Sequence, residues 1–175
     1  MSTTIEPVFG TAEALELNRD NVGAVSDDEL QAAVLALAED QRRLDVAAAI
    51  VLGELDARGT TDREYGVKTA TWVARETSIP AAVAKKKVRV GSMLRRWLPE
   101  VDAAMADGRI TWDHARVFTE IATPRILPQI VELQATFLEL AAGVGFDRWA
   151  REVRGLAELL DQDGGHDPNL SLIHI

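Results

Sequence analysis

Apolar side chains recur at alternating intervals of four and three residues over the first third of the chain. The series is Leu30, Val34, Leu37, Gln41, Leu44, Ala48, Val51 and Leu55, with Gln41 its polar member. That spacing places all eight on one stripe of a helix and is the seam of a coiled coil, about three and a half heptads long. Ser26-Asp27-Asp28-Glu29 precedes it as a capping box, in which the Ser hydroxyl and the Glu carboxylate satisfy backbone N–H groups reciprocally. The acidic first turn also suits the positive end of the helix dipole. The pattern runs to Arg58, and Gly59 is a plausible stop. At roughly 1.5 Å per residue the predicted helix is about 48 Å long. Two readings of the stripe stand: a homodimer joined by a coiled coil, with Gln41 fixing the register, or a helix packed on the rest of its own domain.

Shorter helical patterns follow. Thr60 to Gly66 reads as a polar turn, and Thr69 as the cap of a second helix to Glu76 with Trp72 and Val73 inward. Pro80 opens a third, ending near Trp97, and Pro99 a fourth, ending at Gly108. Thr111 caps a fifth from Trp112 to Ala122; a sixth runs from Pro128 to Ala142, stopped by Gly143 and Gly145. Asp147 caps a seventh from Arg148 to Leu160. Residues 161–169 have loop composition, and residues 1–25 read as a mobile lead-in with one weak helical turn around Ala12–Leu17. The alternation of a sheet is absent. The predicted fold is therefore all-α: a long N-terminal helix and about six shorter ones in an irregular bundle over residues 26–160.

Composition agrees, with 26 Ala and 19 Leu in 175 residues. The absence of Cys excludes disulfides and thiolate metal sites. No run of 18 apolar residues exists to span a membrane, and Met1 to Gly10 lacks a secretory pattern. The chain is expected to be cytoplasmic and to need no cofactor and no metal.

Charge changes the picture more. The net charge of −9 averages three blocks. Residues 1–66 hold 14 acidic and 5 basic side chains, residues 67–98 hold 1 and 8, and residues 99–175 hold 13 and 6. On the predicted third helix, Val83, Val90, Leu94 and Trp97 gather on one side, with Met93 at the edge. Lys85, Arg89 and Arg96 lie about 120° away, and Lys86 and Lys87 flank the apolar stripe. One reading of the basic face is phosphate neutralisation, with Lys85, Lys86, Lys87, Arg89, Arg95 and Arg96 as the DNA contacts. The other is pairing with the acidic first helix or with another subunit.

Val101 to Val117 reads as helix, Gly turn and capped helix, the outline of a helix–turn–helix. Its second helix offers Asp113, Arg116 and Glu120 outward, whereas a recognition helix begins with Arg, Lys, Asn or Gln. A plain helical hairpin fits better. Catalytic constellations are missing. The three histidines, His114, His166 and His174, lack metal-ligand spacing, and there is no Gly-rich phosphate loop or G-x-S-x-G turn. His114 reads as a first-turn residue that packs locally, and Trp72, Trp97, Trp112 and Trp149 as core anchors.

The order of motifs is Leu52-x-x-Leu55-Asp56-Ala57-Arg58-Gly59, Thr69-Ala70-Thr71-Trp72-Val73-Ala74-Arg75-Glu76, Pro80-Ala81-Ala82, and Gly108-Arg109-Ile110-Thr111-Trp112-Asp113-His114-Ala115-Arg116-Val117. From Ser26 to Asn169 this resembles the N-terminal helical domain of actinobacterial HNH endonuclease-like repeat proteins, domain-of-unknown-function family 222. The resemblance implies a helical domain preceding an HNH nuclease module, whose His and Asn carry the metal and the chemistry. No such module is present here, so no catalytic residue carries over. One departure is Ile79, where the family has a Ser cap; Ser78 or Thr77 serves instead, or the helix start frays. Leu170-Ser171-Leu172-Ile173-His174-Ile175 reads as an artificial tail, because a transposase-end adapter sequence encodes those six residues. The function expected is a non-catalytic domain that helps bind or position DNA. The alternative is an oligomerisation or scaffold module built on the Leu30–Leu55 seam.

Overall fold

The structure, a computed structural model, describes residues 10–162. Every regular element among them is helical. The α-helices are α1 (Thr11–Leu15), α2 (Asp27–Arg58), α3 (Thr60–Tyr65), α4 (Thr69–Thr77), α5 (Ala81–Arg96), α6 (Pro99–Ala106), α7 (Trp112–Ile121), α8 (Leu127–Glu132), α9 (Gln134–Ala141) and α10 (Phe146–Gln162). The all-α expectation and the long helix hold. The expectations for residues 163–169 and 170–175, with His166 and His174, lie outside the described residues, as do residues 1–9.

The described residues divide into two compact units, with the boundary between Asp45 and Val46. In the first, Glu13 Oε2 accepts from the Gly10 N–H at 3.0 Å, which starts α1 where one helical turn was expected around Ala12–Leu17. Asn18 Oδ1 accepts from the N–H of Asp20 and of Asn21 and turns the chain toward a 3-10 turn at Val22–Ala24. The Ser26 capping box forms: the Ser26 N–H and Oγ donate to Glu29 Oε2 at 2.9 and 2.7 Å, and the Glu29 N–H donates to Ser26 Oγ at 3.3 Å. These bonds hold the Glu29 carboxyl below its ordinary range, the side-chain bond to Ser26 foremost.

The second unit is organised around α5, which packs against α4, α6 and α7. Its buried face is Ala84, Val88, Val90, Gly91 and Leu94. This corrects the predicted face: Val83 and Trp97 are 41% and 39% exposed. A single apolar stripe assumes one partner surface, whereas α5 meets neighbours on several sides. Ala84 and Val88 join Val73 in a small cluster, while Val90 and Leu94 belong to the main core. At Gly91 the approach of α2 is backbone to backbone. A Cβ on Gly91 would lie 2.4 Å from the Ala49 carbonyl oxygen, and one on Gly53 2.4 Å from the Gly91 carbonyl oxygen.

The main core gathers Leu98, Met105, Phe118, Ile126, Ile130, Phe137 and Trp149, all essentially inaccessible to solvent. Trp149 donates its indole N–H to the Phe137 carbonyl at 2.8 Å, so this large ring is buried without an unsatisfied donor. Of the other tryptophans expected in the core, Trp72 and Trp112 are only partly buried.

Gln134 is buried among apolar groups and closes four hydrogen bonds. Its Oε1 accepts from the N–H of Glu100 and of Val101 at 3.2 and 3.5 Å, at the open start of α6. Its Nε2 donates to the Val131 carbonyl at 2.8 Å and the Trp97 carbonyl at 3.4 Å. A helix start leaves N–H groups without intrahelical partners, and here a distant side chain supplies them.

Several boundaries differ from expectation. The polar turn after Gly59 is a helix, α3, enclosed by Gly59 and Gly66 in left-handed conformations (φ 60° and 68°). Thr69 does not cap α4; it is buried, with its hydroxyl 3.1 Å from that of Thr61. The predicted sixth helix is two, broken at Leu133. Asp147 lies within α10, which starts at Phe146 and runs to Gln162, into the predicted loop. Pro80 is the N-cap of α5 and no side chain caps that helix, so neither Ser78 nor Thr77 takes over. Ser78 instead holds a left-handed conformation (φ 54°) that ends α4. With these additions nine shorter α-helices accompany α2 among the described residues, rather than six.

The Gly91 contact generates a test. Gly91→Ala is expected to cost about 1–3 kcal/mol, because the atom it meets is backbone and cannot swing away. Gly155→Ala, on α10 with nothing within 4 Å of the new methyl, is expected to stabilise by about 0.5–1 kcal/mol. Urea midpoints of the two variants and the parent decide it; equal midpoints would remove the close approach.

Candidate functional site

The six basic side chains singled out all lie on α5 and differ in what they contact. Lys85 and Lys86 are exposed and Lys87 half-buried, and none makes an ion pair among the described residues. The three arginines are committed to the protein. Arg89 Nη2 donates to the Thr119 carbonyl at 2.8 Å and to the Ala122 carbonyl at 3.5 Å. A cation at the C-terminal carbonyls of α7 is favoured by the dipole as well as by the bonds. Arg95 Nε donates to Glu54 Oε2 at 2.9 Å. Glu54 also accepts from Arg58 at 2.6 Å, and the bonds from Arg58 and then Arg95 hold its carboxyl below the ordinary range. Beside this pair Ser92 Oγ donates to Asp56 Oδ2 at 2.7 Å. Arg96 lies over the Trp97 ring, 4.9 Å from its centroid.

The two readings of the basic helix thus divide by residue. Arg95 pairs with an acidic residue of α2, whereas Lys85, Lys86 and Lys87 do not. The helical period alone cannot show this, because it reports which residues share a face and not what covers that face.

A groove of about 380 Å³ lies between α5 and α7, lined by Ala82, Lys85, Lys86, Arg89, Arg116, Thr119 and Glu120. Four of its seven residues are cations and one is a carboxylate. Arg116 pairs with Asp113 at 3.3 Å and with Glu120, and Arg154 Nη2 reaches Glu120 Oε2 at 3.2 Å from α10. The sequence places Arg116 and Glu120 among the outward residues of a hairpin and gives no sign of their part in this groove. Their four-residue spacing marks an ion pair, but only the packing of α5 on α7 brings that pair beside Lys85 and Lys86.

Gly108 (φ 73°) and buried Ile110 join α6 to α7, as a helical hairpin requires. His114 closes the start of α7: its Nδ1 lies 3.3 Å from the Thr111 N and 2.9 Å from the Thr111 hydroxyl. Its ring packs on Trp149 and Phe146, with centroids 4.5 and 5.0 Å away. A larger cavity, about 530 Å³ and edged by Glu100, Arg109 and Glu139, holds one cation against two carboxylates. Among the described residues no His, Asp or Glu group is placed to hold a metal, and no helix is long and apolar enough to cross a membrane.

The heptad positions on α2 are largely open. Val34, Leu44 and Val51 are 64%, 64% and 62% exposed, and Leu37 is also exposed. Leu30, Ala48 and Leu55 are intermediate. Gln41 is exposed and donates through Nε2 to Asp45 at 3.0 Å.

Burial holds the His114 imidazole below its ordinary pKa, against the opposing pull of Asp113. The folded state therefore favours neutral His114, and the unfolded chain takes up the proton first as pH falls. This contribution to stability is present above the ordinary His value of about 6.5 and is lost as pH drops through the folded value. Between pH of about 7.5 and 5 the melting temperature of the parent should fall more than that of His114→Asn. Parallel curves would dissociate the imidazole from acid sensitivity.

Residues 31–169 match the family model described as Domain of unknown function (DUF222). No curated protein and no solved structure matches.

Proposed function

We propose that this chain, which belongs to the DUF222 family, is a non-catalytic helical domain that grips DNA by its phosphates along the first turns of α5. The observation that carries this reading is the state of Lys85 and Lys86: exposed, unpaired among the described residues, and side by side at the groove between α5 and α7. In a chain of net charge −9, cations left without a carboxylate are where an anionic polymer gains most. Phosphate contacts position a protein on the duplex without reading sequence, which suits a domain whose task is to hold and orient. An HNH nuclease module in the same parent protein would supply the chemistry, in line with the resemblance; this chain's part is binding. Arg89, Arg95 and Arg96 serve that role less, since each already has a partner within the fold.

Replacing Lys85, Lys86 and Lys87 together with Ala should weaken duplex binding and flatten its dependence on salt. Each lost phosphate contact removes about 0.9 from the slope of log K against log salt. Arg95→Ala should leave that slope unchanged. Fluorescence anisotropy over a salt series provides the measurement, and a slope untouched by the triple substitution overturns the reading.

A second reading, self-association through α2, rests on the exposure of Val34, Leu44 and Val51. It expects a dimer at micromolar concentration in sedimentation velocity, converted to monomer by Leu44→Glu. A parent chain that sediments as a monomer removes it.

A further inference from the structure

We propose that Glu120 is a built-in counter-anion of the α5–α7 groove, and that a backbone phosphate of DNA takes over from it as the ligand of Arg116. The inference rests on the DNA reading above and deepens it: it names the seat of one phosphate and the residue that limits affinity there.

The geometry is that of an anion site already occupied from within. Both carboxylate oxygens of Glu120 are taken by guanidinium groups, Oε1 by Arg116 and Oε2 by Arg154 at 3.2 Å. Each arginine meets one oxygen, and a guanidinium N–H donates to a phosphate oxygen as it does to a carboxylate oxygen. The same groove holds Lys85, Lys86 and Arg89, so its single carboxylate leaves an excess of positive charge. Arg89 is fixed by the Thr119 and Ala122 carbonyls through one nitrogen, while a guanidinium has five N–H donors. The lysines supply mobile charge and Arg116 a fixed fork, and between them lies an open volume of about 380 Å³.

Glu120 and Arg154 are open to solvent, whereas the Arg116 side chain is 23% exposed. A solvent-facing carboxylate is held weakly, and a phosphate that replaces it keeps Arg116 paired. A phosphate entering beside Lys85 and Lys86 gains Arg116 if Glu120 swings toward Arg154 alone. While Glu120 stays, its charge opposes the incoming anion at short range.

The test is a cycle of Glu120→Gln and Arg116→Ala, read as affinity for a short DNA duplex, with Glu139→Gln as a distant variant of identical charge change. Glu120→Gln should tighten binding about fivefold, the effect of one unit charge near 4 Å in water-like screening. It should also steepen the salt slope by about 0.9, one added phosphate contact. Glu139→Gln should change affinity less than twofold. In the Arg116→Ala background the added slope should vanish and the gain in affinity should shrink. A gain equal to that of Glu139→Gln, or an added slope that persists without Arg116, overturns the proposal. Should the parent and Glu120→Gln both fail to bind DNA, the DNA reading itself falls. A parent that binds through its lysines but ignores the Glu120 substitution rejects this inference alone. A measurement on the unaltered chain guards against a variant that misfolds. Inorganic phosphate should shift the Arg116 Nε–Hε resonance beyond what sodium chloride does at equal ionic strength, and equal shifts overturn the seat.

Discussion

The backbone of α5 touches the backbone of α2 at Gly91, where neither helix has room for a side chain. Close approach there fixes the rotation of α5 as well as its distance, since only one face of the helix is smooth enough to enter. Once Gly91 faces Ala49 and Gly53, Ala84 and Val88 meet Val73 in the small cluster, and Val90 and Leu94 enter the main core. Arg95 is set against Glu54, Ser92 against Asp56, and Arg89 against the end of α7. Lys85 and Lys86 are what remains on the uncovered side. The candidate site is thus a consequence of helix packing.

Two buried polar side chains hold the remaining helices to that frame. Gln134 joins the end of α5 and the start of α6 to the α8–α9 junction, by accepting from one set of backbone groups and donating to another. Trp149 ties α10 to α9 through one hydrogen bond, and its ring lies 5.7 Å from that of Phe118 on α7. A neutral hydrogen bond contributes about 1 kcal/mol net, but an orphaned buried group costs about 1–3 kcal/mol. The value of these contacts is therefore specificity: an alternative packing of the same apolar residues would leave N–H and carbonyl groups of α5 and α6 unmatched.

The division of the cations follows from their chemistry. Arginine, with a rigid fork of donors, appears where carbonyls, carboxylates or an aromatic face offer fixed partners, as for Arg89, Arg95, Arg96, Arg116 and Arg154. Lys85 and Lys86, compact charges on flexible stems, have no such partner among the described residues. Flexible lysines follow phosphates whose positions vary along a duplex, whereas a paired arginine has first to be released from its partner.

Much of the fold was legible in the chain. The capping box at Ser26 and Glu29, the stop at Gly59, the turn at Gly108 and the membership of α5, α6, α7 and α10 all follow from local rules. They do so because capping, left-handed glycines and apolar spacing act within a few residues. The basic block was equally visible, since charge is a property of composition. Hidden from the sequence were the true buried face of α5, the exposure of Trp97, the helix after Gly59 and the break at Leu133. Each depends on groups distant along the chain, as the Gln134 bonds to α6 and the Thr61–Thr69 contact illustrate. The sequence by itself determined an all-helical chain with one strongly basic helix. Only the tertiary structure decided which of those charges stay unpaired, because neutralisation requires an opposite charge or carbonyl within a few ångströms, and packing alone places it there.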